Sequence, residues 1–219
     1  MRDHDHDHDH EEHRFEAAAQ AAEWDARYGE AEGTMWSGRP NGRLVAEVGD
    51  LVAGRALDVG CGEGADAIWL ARRGWTVTAV DISDLALGRA RKAAALAGVA
   101  VEWVCGDALQ TPFPPGSFDL LSMQYPALPK AAGDAAVRTL AGTVRPGGLL
   151  LAVYHDLDHE HREHMKSKGF DPADYVGSDD LVRLLDDDLG LELHAVEPRI
   201  DPPPGTPHVA DVVLRFRRR

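Results

Sequence analysis

The stretch Ala56-Leu57-Asp58-Val59-Gly60-Cys61-Gly62-Glu63-Gly64 constrains this chain more than any other. An apolar run with an acidic residue near its end passes into glycines at alternate positions, then into the helical pattern of Ala65 to Arg73. The pattern predicts a buried parallel strand turning through a tight loop into a helix, the place at which open α/β sheets bind ligands. Glycine carries no Cβ, so such a loop can take unusual dihedrals and lie flat against a bound molecule. A dinucleotide-binding loop has the spacing G-x-G-x-x-G and sets a helix N-terminus against a pyrophosphate. Here the spacing is G-x-G-x-G, and Glu63 stands where a diphosphate needs positive potential, which favours a ligand without phosphate.

Further strand ends follow at regular distances. Thr76 to Val80 predicts a second strand with Asp81 at its carboxyl end, about 20 residues past the loop, where an acidic side chain can accept hydrogen bonds from a ribose diol. A third strand, Val101 to Val104, leads to Gly106-Asp107-Ala108, and a fourth, Phe118 to Met123, leads to Gln124-Tyr125-Pro126. Between and beyond them the periodicity predicts helices over Phe15–Tyr28, Leu44–Val52, Asp84–Leu96 with Ser83 as N-cap, Lys130–Val144 and Asp179–Leu185 with Ser178 as N-cap. Strands at Leu149–Tyr154, Leu191–Pro198 and Val209–Phe216 complete the pattern, and Lys166–Gly177 reads as a polar loop. Alternating strands and helices argue for a parallel, doubly wound sheet with right-handed crossovers.

The series Leu57-Asp-Val-Gly-Cys-Gly-Glu-Gly64, Val80-Asp81, Gly106-Asp107, Phe118-Asp119 and Arg145-Pro-Gly-Gly148, in this order, resembles the class I S-adenosylmethionine-dependent methyltransferases over roughly Trp36 to Val153. The resemblance implies a Rossmann-like α/β fold with a doubly wound seven-stranded sheet, mostly parallel, closed by an antiparallel C-terminal hairpin. It implies S-adenosylmethionine as cofactor, with Gly60, Cys61 and Gly62 near the methionine part, Asp81 on the ribose hydroxyls, and Asp107 and Ala108 at the adenine. Asp58, Ile82 and Gln124 are further cofactor-contacting positions by the same resemblance, and the segment after Asp119 is placed beside the transferable methyl. Trp24-Asp25-x-Arg27-Tyr28 followed by Trp36-Ser37-Gly38-x-Pro40-Asn41 is similar to the opening of the tellurite-resistance and thiopurine methyltransferases, in which this segment closes over cofactor and substrate.

Taken by themselves, Trp24, Tyr28 and Trp36 are either core packing or lid aromatics, whose faces stabilise a sulfonium as they do an ammonium. Arg39 is either a surface arginine or the partner of the methionine carboxylate. The expected organisation is a disordered His/Asp-rich tail over residues 1–13 and a methyltransferase domain over residues 14–219, with a helical lid at 14–42.

At 219 residues and a formal net charge of -14, the chain repels phosphate backbones and anionic lipid, so a small-molecule acceptor is favoured over nucleic acid or membrane. Two cysteines form no framework and no long apolar span is present, which points to the cytoplasm. The sequence leaves the oligomeric state open. Five histidines fall among the carboxylates of the tail and four in Tyr154-His155-Asp156-Leu-Asp-His-Glu-His-Arg-Glu-His164, of eleven in all. Imidazoles in such company bind divalent metals adventitiously, and a metal-binding or metal-responsive protein on a methyltransferase scaffold is the alternative reading. No metal-ligand set is assigned.

Acceptor chemistry is expected at the ends of the fourth and fifth strands, where Tyr125 and His155 are the catalytic candidates. His155 either orients a substrate and takes its proton or is a structural hydrogen bonder. The sequence at Gln124-Tyr125-Pro126 lacks the Asn-Pro-Pro-Tyr type of motif of amino-methylating DNA and protein-glutamine enzymes, which argues against those substrates.

Overall fold

The computed structural model describes residues 4–185, 188–202, 206 and 208–219. Met1–Asp3 of the tail, Asp186 and Asp187 after the last helix, and Pro203–Gly205 of the final connection lie outside the described residues. Seven strands form one sheet in the order β3-β2-β1-β4-β5-β7-β6. They are β1 (Arg55–Val59), β2 (Thr76–Asp81), β3 (Glu102–Cys105), β4 (Phe118–Gln124), β5 (Val144–His155), β6 (Leu189–Pro198) and β7 (Ala210–Arg218). The first five run parallel, and β7 pairs antiparallel with both β5 and β6, as the resemblance implies.

Helices α1 (His4–Glu30), α2 (Gly42–Val48), α3 (Ala65–Arg72), α4 (Asp84–Ala97), α5 (Asp134–Ala141), α6 (His159–Ser167) and α7 (Ser178–Leu185) surround the sheet. Alternation along the strands sends successive side chains to opposite faces. Leu57, Val59, Leu150 and Ala152 therefore meet Val137 and Leu140 of α5 and Leu181, Leu184 and Leu185 of α7 in one cluster. Ala56, Leu149, Leu151 and Val153 meet Leu44 and Val48 of α2 and Ala67 and Leu70 of α3 in the other. Both faces are covered, which is why the central strands read as nearly continuous apolar runs.

Several boundaries depart from the sequence expectation, each for a local reason. The helix expected over Lys130–Val144 is broken: a 3₁₀ turn at Lys130–Ala132 is separated from α5 by Gly133, whose φ of 84° lies outside the helical region. The helix expected to reach Val52 stops at Val48. Much of the polar run expected as a loop is structured, with α6 extending to Ser167 and a 3₁₀ turn at Pro172–Asp174 capped by the Asp171 carboxylate. Residues 4–13 extend α1, whereas composition predicts a disordered tail. Once nucleated over Phe15–Tyr28, a helix propagates at one backbone bond per added residue. No described helix is long and apolar enough to cross a membrane.

Candidate active site

The strand order reverses between β1 and β4, and registry aligns the carboxyl ends there: Val59 pairs with Val80 on one side and Met123 on the other. Gly60, Asp81, Cys105 and Gln124 therefore arrive at one edge of the sheet, where crevices in such folds take ligands. The glycine loop is held down by its own backbone, the N–H groups of Gly60 and Cys61 both donating to Val80 O at 2.9 and 3.1 Å. Asp81 fixes the next turn: Oδ2 accepts from Gly62 N at 2.7 Å and Oδ1 from Ser83 N at 2.9 Å. A carboxylate has about four acceptor positions, so Asp81 keeps capacity for two more donors after those bonds. Gly62 has φ 53°, and a Cβ built there meets the Tyr28 hydroxyl at 2.8 Å, so both backbone and space require glycine.

Three carboxylates are buried together at this edge. Asp58 is 2% exposed and its Oδ2 has no hydrogen-bond partner. Burial, then the proximity of Asp66 and Asp81, pushes Asp58 well above the usual carboxylate range. Burial raises Asp66 as well, against the opposing bonds from Asn41 N and Nδ2, both 2.7 Å. Asp81 is raised by burial while Ser83 N and Gly62 N hold it back. Cys61 is pushed up by burial and then by Asp58 and Asp81, which keeps its thiol protonated. An orphaned buried oxygen costs about 1–3 kcal/mol, so the cluster suits a ligand carrying cations and hydroxyl donors.

Glu63, which the sequence suggested only as an obstacle to phosphate, pins the segment that crosses the cavity. Its two oxygens accept from Met35 N and Trp36 N, each at 3.0 Å, and Oε1 also takes Arg89 Nη1 at 2.8 Å. Arg89 reaches on to Tyr28 O at 2.9 Å, and Trp36 Nε1 donates to the Tyr28 hydroxyl at 3.0 Å. On the neighbouring turn of α1, Asp25 accepts from Ser83 Oγ at 2.5 Å and from Leu85 N at 3.2 Å. Tyr28 is buried, whereas Trp36 remains 52% exposed at the rim.

Beyond Gln124 the edge becomes aromatic. Gln124 Nε2 donates to Ser122 Oγ at 3.2 Å and its Oε1 is buried without a partner. Tyr125 has φ 52°, an uncommon conformation for a residue with a side chain that costs about 1–2 kcal/mol. It is held by Tyr125 N donating to Val153 O at 2.8 Å and by its hydroxyl donating to Asp211 Oδ1 at 3.0 Å. The His155 ring stacks on Tyr125 at 4.1 Å and on His208 at 4.4 Å, and its Nδ1 is buried without a partner. Burial, then His208 and Arg199, lowers His155 to about 3, so the imidazole is neutral at physiological pH. Burial followed by Asp211 raises Tyr125, which keeps the phenol protonated.

All of the sequence-predicted positions border one open cavity of about 1630 Å³: Trp36, Arg39, Asp58, Gly60, Cys61, Gly62, Asp81, Ile82, Asp107, Ala108, Gln124, Tyr125 and His155. Within it, Arg39 is exposed at the rim, with Nη2 3.5 Å from Asp201 O. Asp107 spends both oxygens locally, on Leu109 N at 2.8 Å and Gln110 Nε2 at 2.9 Å, and leaves Ala108 as the wall. Asp119 stands at the start of β4, at the opposite edge, where it binds Arg55 N and Arg145 Nε. The sequence reading missed Arg199, His208 and Asp211; the only signal was an acidic residue inside an apolar strand at Asp211. Among the described residues no group of three or more His, Cys, Asp or Glu side chains is arranged to hold a metal ion.

A mostly parallel sheet with its switch point between β1 and β4, a G-x-G-x-G loop and a strand-end aspartate define a Rossmann-like α/β architecture with a ligand crevice at its carboxyl edge. Residues 56–148 match the family model described as a methyltransferase domain. The chain is 35% identical over 134 residues to the glycine N-methyltransferase of Rattus norvegicus, covering 54% of this chain and 44% of that one. It is 35% identical over 114 residues to a fatty-acid O-methyltransferase of Mycolicibacterium smegmatis, covering 49% and 39%. It thus spans less than half the length of these curated relatives. A solved structure from work on the conversion of a disulfide bond into a thioacetal group during echinomycin biosynthesis matches with a TM-score of 0.72 and 26% identity, over 91% of this chain and 92% of that one.

Proposed function

We propose that this chain transfers a methyl group from S-adenosylmethionine to a small-molecule acceptor by in-line displacement. The observation that carries the proposal is the single cavity joining the Asp81 edge to the Tyr125–His155 wall, large enough for a nucleoside cofactor and a second molecule. When bound, S-adenosylmethionine supplies a methyl group already activated on a sulfonium. The chain's own residues then have to bind, align and keep water out.

In this reading Asp81 accepts from the ribose hydroxyls, Asp58 offers its unpartnered Oδ2 to a donor on the methionine part, and Gly60, Cys61 and Gly62 pass close to that part. Ile82 and Ala108 wall the adenine, Asp107 shapes that turn, Gln124 presents its free Oε1, and Trp36 and Arg39 close the rim. Residues 14–42 act as the lid of a domain spanning 14–219, with Glu63 and Asp66 as its anchors. Tyr125 and His155 form the wall against which the acceptor is oriented. His155, being neutral, offers Nδ1 as a hydrogen-bond acceptor.

The acceptors named for the relatives, glycine and a fatty acid, support a small acceptor, as does the net charge of -14, which disfavours nucleic acid. The Trp24–Asn41 pattern supports a relation to tellurite-resistance and thiopurine enzymes. Free thiols at Cys61 and Cys105 agree with a reducing, cytoplasmic setting. A metal role for the His/Asp tract rests on sequence alone.

The test is incubation of the protein with S-adenosylmethionine and a panel of thiols, carboxylates, phenols and amines, with S-adenosylhomocysteine and methylated product followed by mass spectrometry. Acceptor-dependent formation of both supports the proposal. Product equal to that of a heat-denatured control across the panel contradicts it.

A further inference from the structure

The cavity has two halves of opposite character, and the second half describes what it receives. The cofactor half carries the carboxylates Asp58, Glu63, Asp66, Asp81 and Asp107. The half bounded by α1, α6 and the hairpin gathers Arg27, Arg162, Lys168 and Arg199 beside Asp156, Asp179 and Asp180, in a chain whose net charge is -14. Lys130 on the same wall is matched by Asp180 at 2.9 Å. Among the described residues Arg162, Lys168 and Arg199 form no ion pair, and Arg162 donates only to the carbonyl of Leu157. Arg27 is paired with Glu23 at 2.6 Å, and Arg199 lies in the field of Asp211 without bonding it; cations with no bonded carboxylate around a cavity favour an anionic occupant.

The same walls are aromatic. On one side Arg199 lies over the Tyr125 ring at 5.1 Å, Tyr125 stacks on His155, His155 on His208, and His208 meets His161 at 5.1 Å. On the other, Arg27 lies between the rings of Trp24 at 5.0 Å and Phe170 at 5.6 Å, and Phe170 stacks on Tyr175 at 4.4 Å with an interplanar angle of 9°. Each column contains an arginine stacked on a ring; Arg27 gives its Nη2 to Glu23 at 2.6 Å, whereas among the described residues Arg199 has no carboxylate bonded to its N–H edges, which can meet an anion. In and beside the first column are hydrogen-bonding atoms that are buried and unpartnered: Nδ1 of His155, Nδ1 of His208 and, on the residue before His155, the Tyr154 hydroxyl.

Resting on the methyltransferase reading above, we infer that the acceptor is an aromatic anion, its ring held among these columns and its acidic group drawn to Arg199 and the neighbouring cations. The anion's own oxygen or sulfur lone pair forms the new bond to the methyl carbon as the carbon–sulfonium bond breaks, and that electron pair stays on the cofactor sulfur. A positive and a negative partner become two molecules without those charges at the reacting atoms, a change favoured wherever the local dielectric is below that of bulk water. No proton has to move, which fits a wall whose histidine is a neutral, weakly basic imidazole. The acidic half of the cavity complements the cationic cofactor, and the basic half complements its anionic co-substrate.

The test titrates the full chain, saturated with S-adenosylhomocysteine, with 2-naphthoate, its neutral isostere 2-naphthamide and the cation 2-naphthylmethylammonium. The inference predicts that naphthoate binds at least about tenfold more tightly than the amide, the worth of one charge-assisted hydrogen bond, and that the cation binds most weakly. Arg199→Gln should close the gap by weakening naphthoate alone, whereas Arg199→Lys should keep part of it. The wild-type ratio decides the matter without any variant. Naphthoate binding no better than the amide, or none of the three binding, overturns this inference while S-adenosylhomocysteine binding leaves the methyltransferase reading standing. Failure of S-adenosylhomocysteine itself to bind the folded chain removes both.

Discussion

At the carboxyl edge of the sheet Asp58, Asp66 and Asp81 lie buried beside one another with no arginine or lysine among their hydrogen-bond partners. Burial has raised all three. At the amino edge and along the hairpin, carboxylates are matched. Burial works against Asp119, yet the Arg55 N–H and the Arg145 guanidinium hold it below its ordinary range. Glu192 is held low by Arg217 and then Arg215, at 3.0 Å each. Asp58 Oδ2, Gln124 Oε1 and His155 Nδ1, three of the six buried unpartnered atoms among the described residues, belong to the first edge. One sheet thus carries an edge whose carboxylates are matched by its own residues and an edge on which several buried polar atoms have no partner within the protein. Motif position does not distinguish them, since Asp81 and Asp119 each sit in a family signature; what separates them is whether their bonds are complete.

The largest separation should come from paired substitutions. Asp81→Ala removes charge-assisted acceptors for the ribose and should weaken S-adenosylhomocysteine by about 100-fold or more, the worth of two such bonds. Asp119→Ala should leave that affinity alone and lower stability by about 1–2 kcal/mol, a fall of roughly 2–8 °C in melting temperature for a chain of this size. Thermal melts beside binding isotherms check both. Equal effects of the two substitutions on binding would break the distinction between the edges.

The next effect is on pH. A carboxylate raised in the folded state contributes stability that is present below its unfolded pKa and lost as pH rises through the folded value. The cofactor-free protein should therefore lose the contribution of Asp58, Asp66 and Asp81 on going upward from about pH 4, where an unfolded aspartate titrates. Asp119 and Glu192, held low, act in the opposite sense and fail only as pH falls through their depressed values. Asp58→Asn should flatten the upper part of the melting-temperature profile, while Asp119→Asn should alter only the acid limb.

A smaller change is expected at the lid. Glu63→Gln keeps a side-chain acceptor but loses the charge facing Arg89 and one of the oxygens that receive Met35 N and Trp36 N. The apparent KM for S-adenosylmethionine should rise by roughly tenfold, the worth of one charge-assisted bond, while the melting temperature shifts little. Smallest of all should be the effect of His155 ionisation. With its pKa lowered to about 3, the rate profile should show no inflection from this residue between about pH 5 and 8, and His155→Gln should leave the shape of the profile unchanged.

What could be read from the chain follows the same division. The glycine loop, Asp81 and the seven strands were legible because each is a local pattern, an apolar run, a turn residue or a strand end at a fixed spacing; the antiparallel ending followed from the family resemblance. Gly133 was visible in the sequence, but the apolar periodicity on both sides concealed the break it makes in a helix. The acceptor wall was not legible, because Arg199, His208 and Asp211 come from the hairpin and meet Tyr125 and His155 only when β7 pairs with β5. Glu63 was conspicuous for its charge, yet its partners Met35, Trp36 and Arg89 are distant in the chain, so its task as anchor required the fold.

The most direct test of the central claim is a calorimetric titration with S-adenosylhomocysteine on three folded samples: wild type, Asp81→Ala and Asp119→Ala. Saturable binding to the wild type and to Asp119→Ala, lost or strongly weakened in Asp81→Ala, is the predicted result. Absence of binding to folded wild type, or undiminished binding to Asp81→Ala, would contradict the placement of the cofactor at the unsatisfied edge of the sheet.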